Sequence, residues 1–176
     1  MQSNSSKDLY NYGVVAGGLA VFLQLGYYLF IDQFSSLGKV SDVVLLLSNF
    51  IICFWSVVEF KKRNNGFATF KEVFSIFMIN RIINITLSLG FVVVLYFVID
   101  TDFRDLVVEK QYEMQYKQLL NRNISEEHME IQLAVLSEWN GKNIKVYLFT
   151  WLGYIIVNAI IGLLVGAAMK KNNPVF

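Results

Sequence analysis

A charged, helix-forming stretch from Asp100 to Lys142 interrupts a chain that is otherwise a succession of long apolar runs. The runs lie at about 10–31, 43–60, 80–99 and 146–169. The first (Tyr10–Ile31) and the fourth (Val146–Met169) carry no charge, the second (Val43–Phe60) has Glu59 at its end, and the third is uncharged from Ile82 to Ile99. A helix needs about 20 apolar residues to cross a hydrocarbon core of about 30 Å. The expected fold is therefore all-α: an integral membrane four-helix bundle with an outward helical hairpin, at about 102–140, between the third and fourth spans.

Composition supports this. The chain is 55% hydrophobic and 16% charged, against about 45–50% and about 25% for soluble domains. Its 176 residues are used up by one four-span bundle, so a single domain over 1–176 is expected. The single cysteine, Cys53, excludes an internal disulfide and any zinc site built on several thiolates. The single proline, Pro174, leaves every span without a proline kink. The polar N-terminus lacks a small-residue cleavage site, so the first run is read as a retained span rather than a signal peptide.

Lysine and arginine near span ends set orientation. Lys61, Lys62 and Arg63 cluster after the second span, with Lys71 beyond; Lys170 and Lys171 follow the fourth, and Lys7 precedes the first. With four spans these regions share one side, which makes both termini cytoplasmic. The stretch from Asp100 to Lys142 has five basic residues outweighed by nine acidic ones and falls on the other side. Within residues 67–79, Phe67, Phe70, Phe74 and Phe77 recur at helical spacing away from Lys71, Glu72 and Ser75. This predicts a helix lying in the inner interface and leading into the third span; the competing reading is one long tilted span.

Arg81 is the one basic residue placed to enter the membrane, with Asn80, Asn84 and Ser88 at helical spacing and Glu59 as a partner in reach. Arg81, Asn80, Asn84 and Glu59 form a candidate polar groove, because intramembrane charge is expensive and is usually retained for function. The competing reading is an interfacial arginine that fixes bundle register. Gln24, Asn49 and Asn158 read as interhelical hydrogen bonders. Gly13 and Gly17, and likewise Gly162 and Gly166, are small-xxx-small pairs at matched depth. They suggest that the first and fourth spans pack together there, with homodimerisation as the other use.

No catalytic, cofactor or metal residues emerge. His128 has no second histidine to complete a ligand set, and no phosphate loop or nucleophile constellation is present. No acidic residue lies at mid-depth in a span, which argues against proton-coupled transport. In the charged stretch, Thr101 and Asp102 are placed to cap a first helix that starts at Phe103 and ends near Asn121, with a stripe of Tyr112, Tyr116, Leu119 and Leu120. After a turn at residues 121–124, Ser125 opens a second helix whose stripe is Met129, Leu133, Leu136 and Trp139, ending at Asn140-Gly141. Facing stripes make a hairpin, and Tyr112, Tyr116, Met129 and Trp139 are its candidate partner surface.

Tyr12-Gly13, the run from Gly66 to Phe74, Val98-Ile99-Asp100, the charged helical insert and the lysines after the fourth span carry a resemblance. Over nearly its whole length the chain resembles a family of small bacterial inner-membrane proteins, domain of unknown function four-one-nine-nine. The resemblance implies a four-span fold and a bacterial inner (plasma) membrane, and no activity. The function expected is that of a non-enzymatic subunit or accessory factor whose outward hairpin binds another envelope protein. A small permease or lipid-handling protein using the Arg81 groove is the alternative. Expected partners are membrane lipids and another envelope protein or a second copy, with no nucleic acid.

Overall fold

The computed structural model describes residues 8–30, 38–121, 126–138 and 140–172. Six α-helices account for nearly all of them: α1 (Asn11–Leu29), α2 (Gly38–Arg63), α3 (Phe70–Val94), α4 (Thr101–Leu120), α5 (Glu126–Glu138) and α6 (Ile144–Met169). A 3-10 turn, Asp8–Tyr10, precedes α1, and α3 runs on as a π-helical segment, Leu95–Ile99. Among the described residues there is no strand. Three helices are long and apolar enough to cross a membrane: Asn11–Leu29, Phe70–Ile99 and Ile144–Met169.

The chain forms two compact units, residues 1–90 with 151–176, and residues 91–150. In the first, α3 supplies half of the core cluster. Val73, Ile76, Phe77 and Met78 are buried with Val57 of α2, Val165 of α6 and Leu9. Phe50 meets the Phe77 ring edge-on at 5.7 Å. Helix α1 is built inside out. The buried face of α1 is glycine and alanine only (Gly13, Ala16, Gly17, Ala20), while Val14, Val15, Phe22 and Leu29 point outward. In lipid, large apolar side chains gain nothing by facing inward, and small ones let backbones approach.

The predicted interfacial helix at 67–79 is not a separate element. Its residues from Phe70 onward are the opening turns of α3, which runs unbroken to Val94. Two features account for this. Thr69 and Glu72 form a capping box: the Thr69 N–H donates to Glu72 Oε2 at 2.8 Å and the Glu72 N–H to Thr69 Oγ1 at 3.3 Å. No glycine or proline then interrupts the helix before Gly90. The stacked rings of Phe70 and Phe74 lie against Gly166 and Gly162 of α6.

The α2–α3 connection is locked by left-handed backbone at Asn65 (φ 54°) and Gly66 (φ 86°) and by the Gly66 N–H donating to the Lys61 carbonyl at 2.7 Å. Ala68 and Lys171 exchange backbone hydrogen bonds of 2.9 and 2.7 Å. Lys61 Nζ donates to the Met169 carbonyl at 2.8 Å, supplying a cation to the exposed carbonyl end of α6.

In the second unit, α4 is capped by Asp100, whose side chain accepts the Phe103 N–H at 2.8 Å. The helix starts at Thr101, two residues before the expected Phe103, because the earlier residue has the extended φ/ψ a cap requires. The expected turn at 121–124 lies, after Asn121, outside the described residues, as do Ser125 and Trp139. Asn143 caps α6, accepting the Lys145 N–H at 3.0 Å.

Candidate functional site

Helix α3 carries Asn80, Arg81 and Asn84, and the structure sends them in two directions. Asn80 is fully buried. Its Oδ1 accepts the Gly13 backbone N–H at 2.6 Å, and its Nδ2 donates to Ser56 Oγ at 3.1 Å and to the Ile76 carbonyl at 2.9 Å. Gly13 is the third residue of α1, where a backbone N–H has no acceptor within its own helix. Asn80 therefore caps α1 from a different helix. A Cβ at Gly13 would stand 2.6 Å from the Asn80 carbonyl oxygen, so no larger residue fits without a backbone shift.

Arg81 turns toward α6. Only 9% exposed, it donates from Nε to Asn158 Oδ1 at 2.7 Å and from Nη1 to Asn84 Oδ1 at 3.3 Å. Asn158 is held in turn by its Nδ2 donating to the Tyr154 carbonyl at 2.7 Å. Cys53 of α2, also buried, lies beside the same guanidinium. Among the described residues no carboxylate comes within ion-pair distance of Arg81. Glu59, expected as its partner, instead takes Arg63 one turn along its own helix at 3.2 Å. The i,i+4 geometry supplies that pairing without crossing the bundle. The predicted groove is thus divided: Arg81 and Asn84 share one cluster, Asn80 belongs to another, and Glu59 sits at the end of α2.

Three buried polar atoms are left over among the described residues: Gln24 Oε1, Asn49 Oδ1 and Asn84 Nδ2. Gln24 still bridges α1 and α3 by donating to Ser88 Oγ at 2.9 Å. Ser56 was not singled out in the sequence. Its spacing from Asn49 and Cys53 on one face of α2 is the signal that could have found it.

The two glycine pairs meet α3 rather than each other. An added Cβ at Gly17 would stand 2.7 Å from Leu87 Cδ1, one at Gly166 2.9 Å from the Phe70 ring, and one at Gly162 3.2 Å from Met78 Sδ. Matched depth placed both pairs at one level, but the partner at that level is α3.

The second unit holds a cleft of about 700 Å³. Val108, Tyr96 and Tyr147 give it apolar lining, while Asp105, Lys142 and Glu109 supply charge. Asp105 accepts from Arg104 at 2.8 Å and from Lys142 at 3.2 Å. The Arg104 hydrogen bond, ahead of the one from Lys142, holds the Asp105 carboxyl below the usual carboxylate range. Arg104 also lies over the Phe97 ring at 5.3 Å.

Of the candidate partner surface, Tyr112 and Tyr116 are exposed and Met129 is half-buried. Tyr112 and Tyr116 were expected inside the contact between the two helices. The residues of α4 that are buried are Phe103, Val107, Val108 and Leu119, and the cleft beside Tyr112 leaves the middle of the predicted stripe open.

Together, long apolar helices, glycine–alanine faces and amide pairs across helices define a helical protein built for a membrane. The model of the family "Protein of unknown function (DUF4199)" matches residues 11–171, and the chain belongs to that family. No curated protein and no solved structure matches the chain.

Proposed function

We propose that the chain is a multi-pass protein of the bacterial inner membrane, with α1, α2, α3 and α6 as spans and both termini cytoplasmic. Its α4–α5 segment works on the outer side as a helical hairpin, a docking module for another envelope protein. The fourth span rests on α2, whose Leu47, Ile51 and Trp55 present an exposed apolar face at helical spacing. The hairpin's role rests on one observation: α4 leaves Tyr112, Met114, Tyr116 and Leu120 exposed in a segment with nine acidic and five basic residues. Aromatic side chains on an acidic surface suit a partner with a basic rim and an apolar centre. The role is non-enzymatic, that of a subunit or accessory factor.

Photo-crosslinkers at Tyr112 and Tyr116 in intact membranes are expected to trap one protein, which co-purifies in mild detergent with the full chain and is lost on deletion of residues 103–139. Identical co-purifying proteins with and without that segment would overturn the reading. A second reading, a permease or lipid-handling protein working through Arg81, draws on a buried guanidinium that, among the described residues, faces amides and a thiol. Buried charge in lipid is costly and tends to be functional. A folded Arg81→Ala protein with transport and lipid phenotypes intact would count against it.

A further inference from the structure

We infer that the crevice between the start of α1 and the end of α2 binds one anionic phospholipid. The crevice has a volume of about 580 Å³. Its walls are Val15, Ile51 and Trp55, each more than half exposed, and its mouth carries Asn11, Tyr12 and Arg63. From Ile51 to Arg63 is twelve residues of helix, about 18 Å at the α-helical rise. That matches one leaflet of hydrocarbon, about 15 Å. An acyl chain laid against Val15, Ile51 and Trp55 would bring its headgroup to Arg63.

Charge complementarity selects the headgroup. Lys61, Lys62 and Arg63 form the last turn of α2, and the Ala68–Lys171 bridge brings Lys170 and Lys171 to the same end. The first turn of α1 carries no acidic residue, and beyond the Gly13 N–H that Asn80 accepts its N-terminus adds the positive end of a helix dipole at the mouth. Basic recesses between membrane helices bind acidic headgroups because cation and phosphate meet where water is scarce. Arg63 suits this position, since a guanidinium makes paired hydrogen bonds to phosphate oxygens. Its ion pair with Glu59 is partly exposed, and a phosphate competes with that carboxylate. The inference rests on the membrane reading alone, so failure of the hairpin's docking role would leave it standing.

Native mass spectrometry of the full chain, released from detergent with phosphatidylglycerol or phosphatidylcholine of the same acyl chains, tests it. The wild-type protein is expected to hold phosphatidylglycerol about fivefold better, the factor that one basic residue supplies near an anionic surface. Arg63→Gln should abolish that preference, and Lys62→Gln, which removes the same charge from outside the crevice, should leave it. Glu59→Gln, by taking away the competing carboxylate, should raise it. Val15→Trp, which fills the crevice on its exposed side, should lower retention of both lipids. No preference in the wild-type protein, equal loss in Arg63→Gln and Lys62→Gln, reproduction of the effect by inorganic phosphate, or a dimer that excludes lipid would each overturn the assignment.

Discussion

The two units are both helical, yet they dispose of polar groups in opposite ways. In residues 1–90 with 151–176, the buried polar side chains are almost all uncharged, and they bond across helices: Asn80 to Gly13 and Ser56, Gln24 to Ser88, Asn158 to Arg81. In residues 91–150 the polar side chains form ion pairs at the surface, among them Asp105 with Arg104 and Lys142, and Lys117 with Glu113. The contrast follows from solvent. An unpaired polar group costs several kcal/mol where water is absent, and all but a few of these atoms are matched to a specific partner. In water a loose ion pair is tolerated and adds little. The pattern of partners thus sets the two units apart independently of hydropathy.

The largest effect should come from Gly13→Ala, which forces a Cβ against the Asn80 backbone. A loss of about 1–3 kcal/mol is expected for such overpacking, read as a lowered unfolding temperature in detergent. Gly18→Ala on the same helix meets nothing within 4 Å and should be neutral or slightly stabilising. Equal effects at the two positions would break the picture of α1 docked through its glycines. Next is Asn80→Ala, expected to cost about 1–2 kcal/mol by stranding Gly13 N–H and Ser56. Asn84→Ala removes only a 3.3 Å bond and should cost less. In the second unit, Tyr112→Ala with Tyr116→Ala should leave stability within about 0.5 kcal/mol, since both side chains are exposed, while abolishing co-purification of the partner in mild detergent.

The smallest effect concerns pH. The folded state lowers the Asp105 pKa, so its stabilising contribution is complete above the ordinary aspartate value of about 3.9 and is lost as pH falls through the lowered value. Hydrogen exchange in α4 should rise slightly on acidification below pH ~4, and Asp105→Asn should remove that increment.

Three of the four apolar runs were legible as helices long and apolar enough to cross a membrane, because lipid imposes length and composition directly on sequence. Helix partners were not. Gly13 and Gly162 lie at similar depth, but depth says nothing about which neighbour stands there, and both proved to face α3. The partner of Asn80 is a backbone N–H, which no residue letter encodes. Glu59 was assigned to Arg81 by charge alone, whereas Arg63 on the same helix was nearer. The stripe of Tyr112 and Tyr116 was read as a contact because periodicity marks a face without saying whether anything covers it.

The bond between Gly13 and Asn80 joins positions 67 residues apart, and this bears on how the molecule is made. Ribosomes add about 5–20 residues per second. The first helix therefore waits several seconds for its cap, its bare glycine–alanine face open to lipid or to any other close-packing helix. The third helix brings that cap and, at its opening turns, the phenylalanines onto which the last helix will settle. Assembly is thus paced by the third helix, and insertion defects are expected to trace to its arrival more than to the first helix's own hydrophobicity.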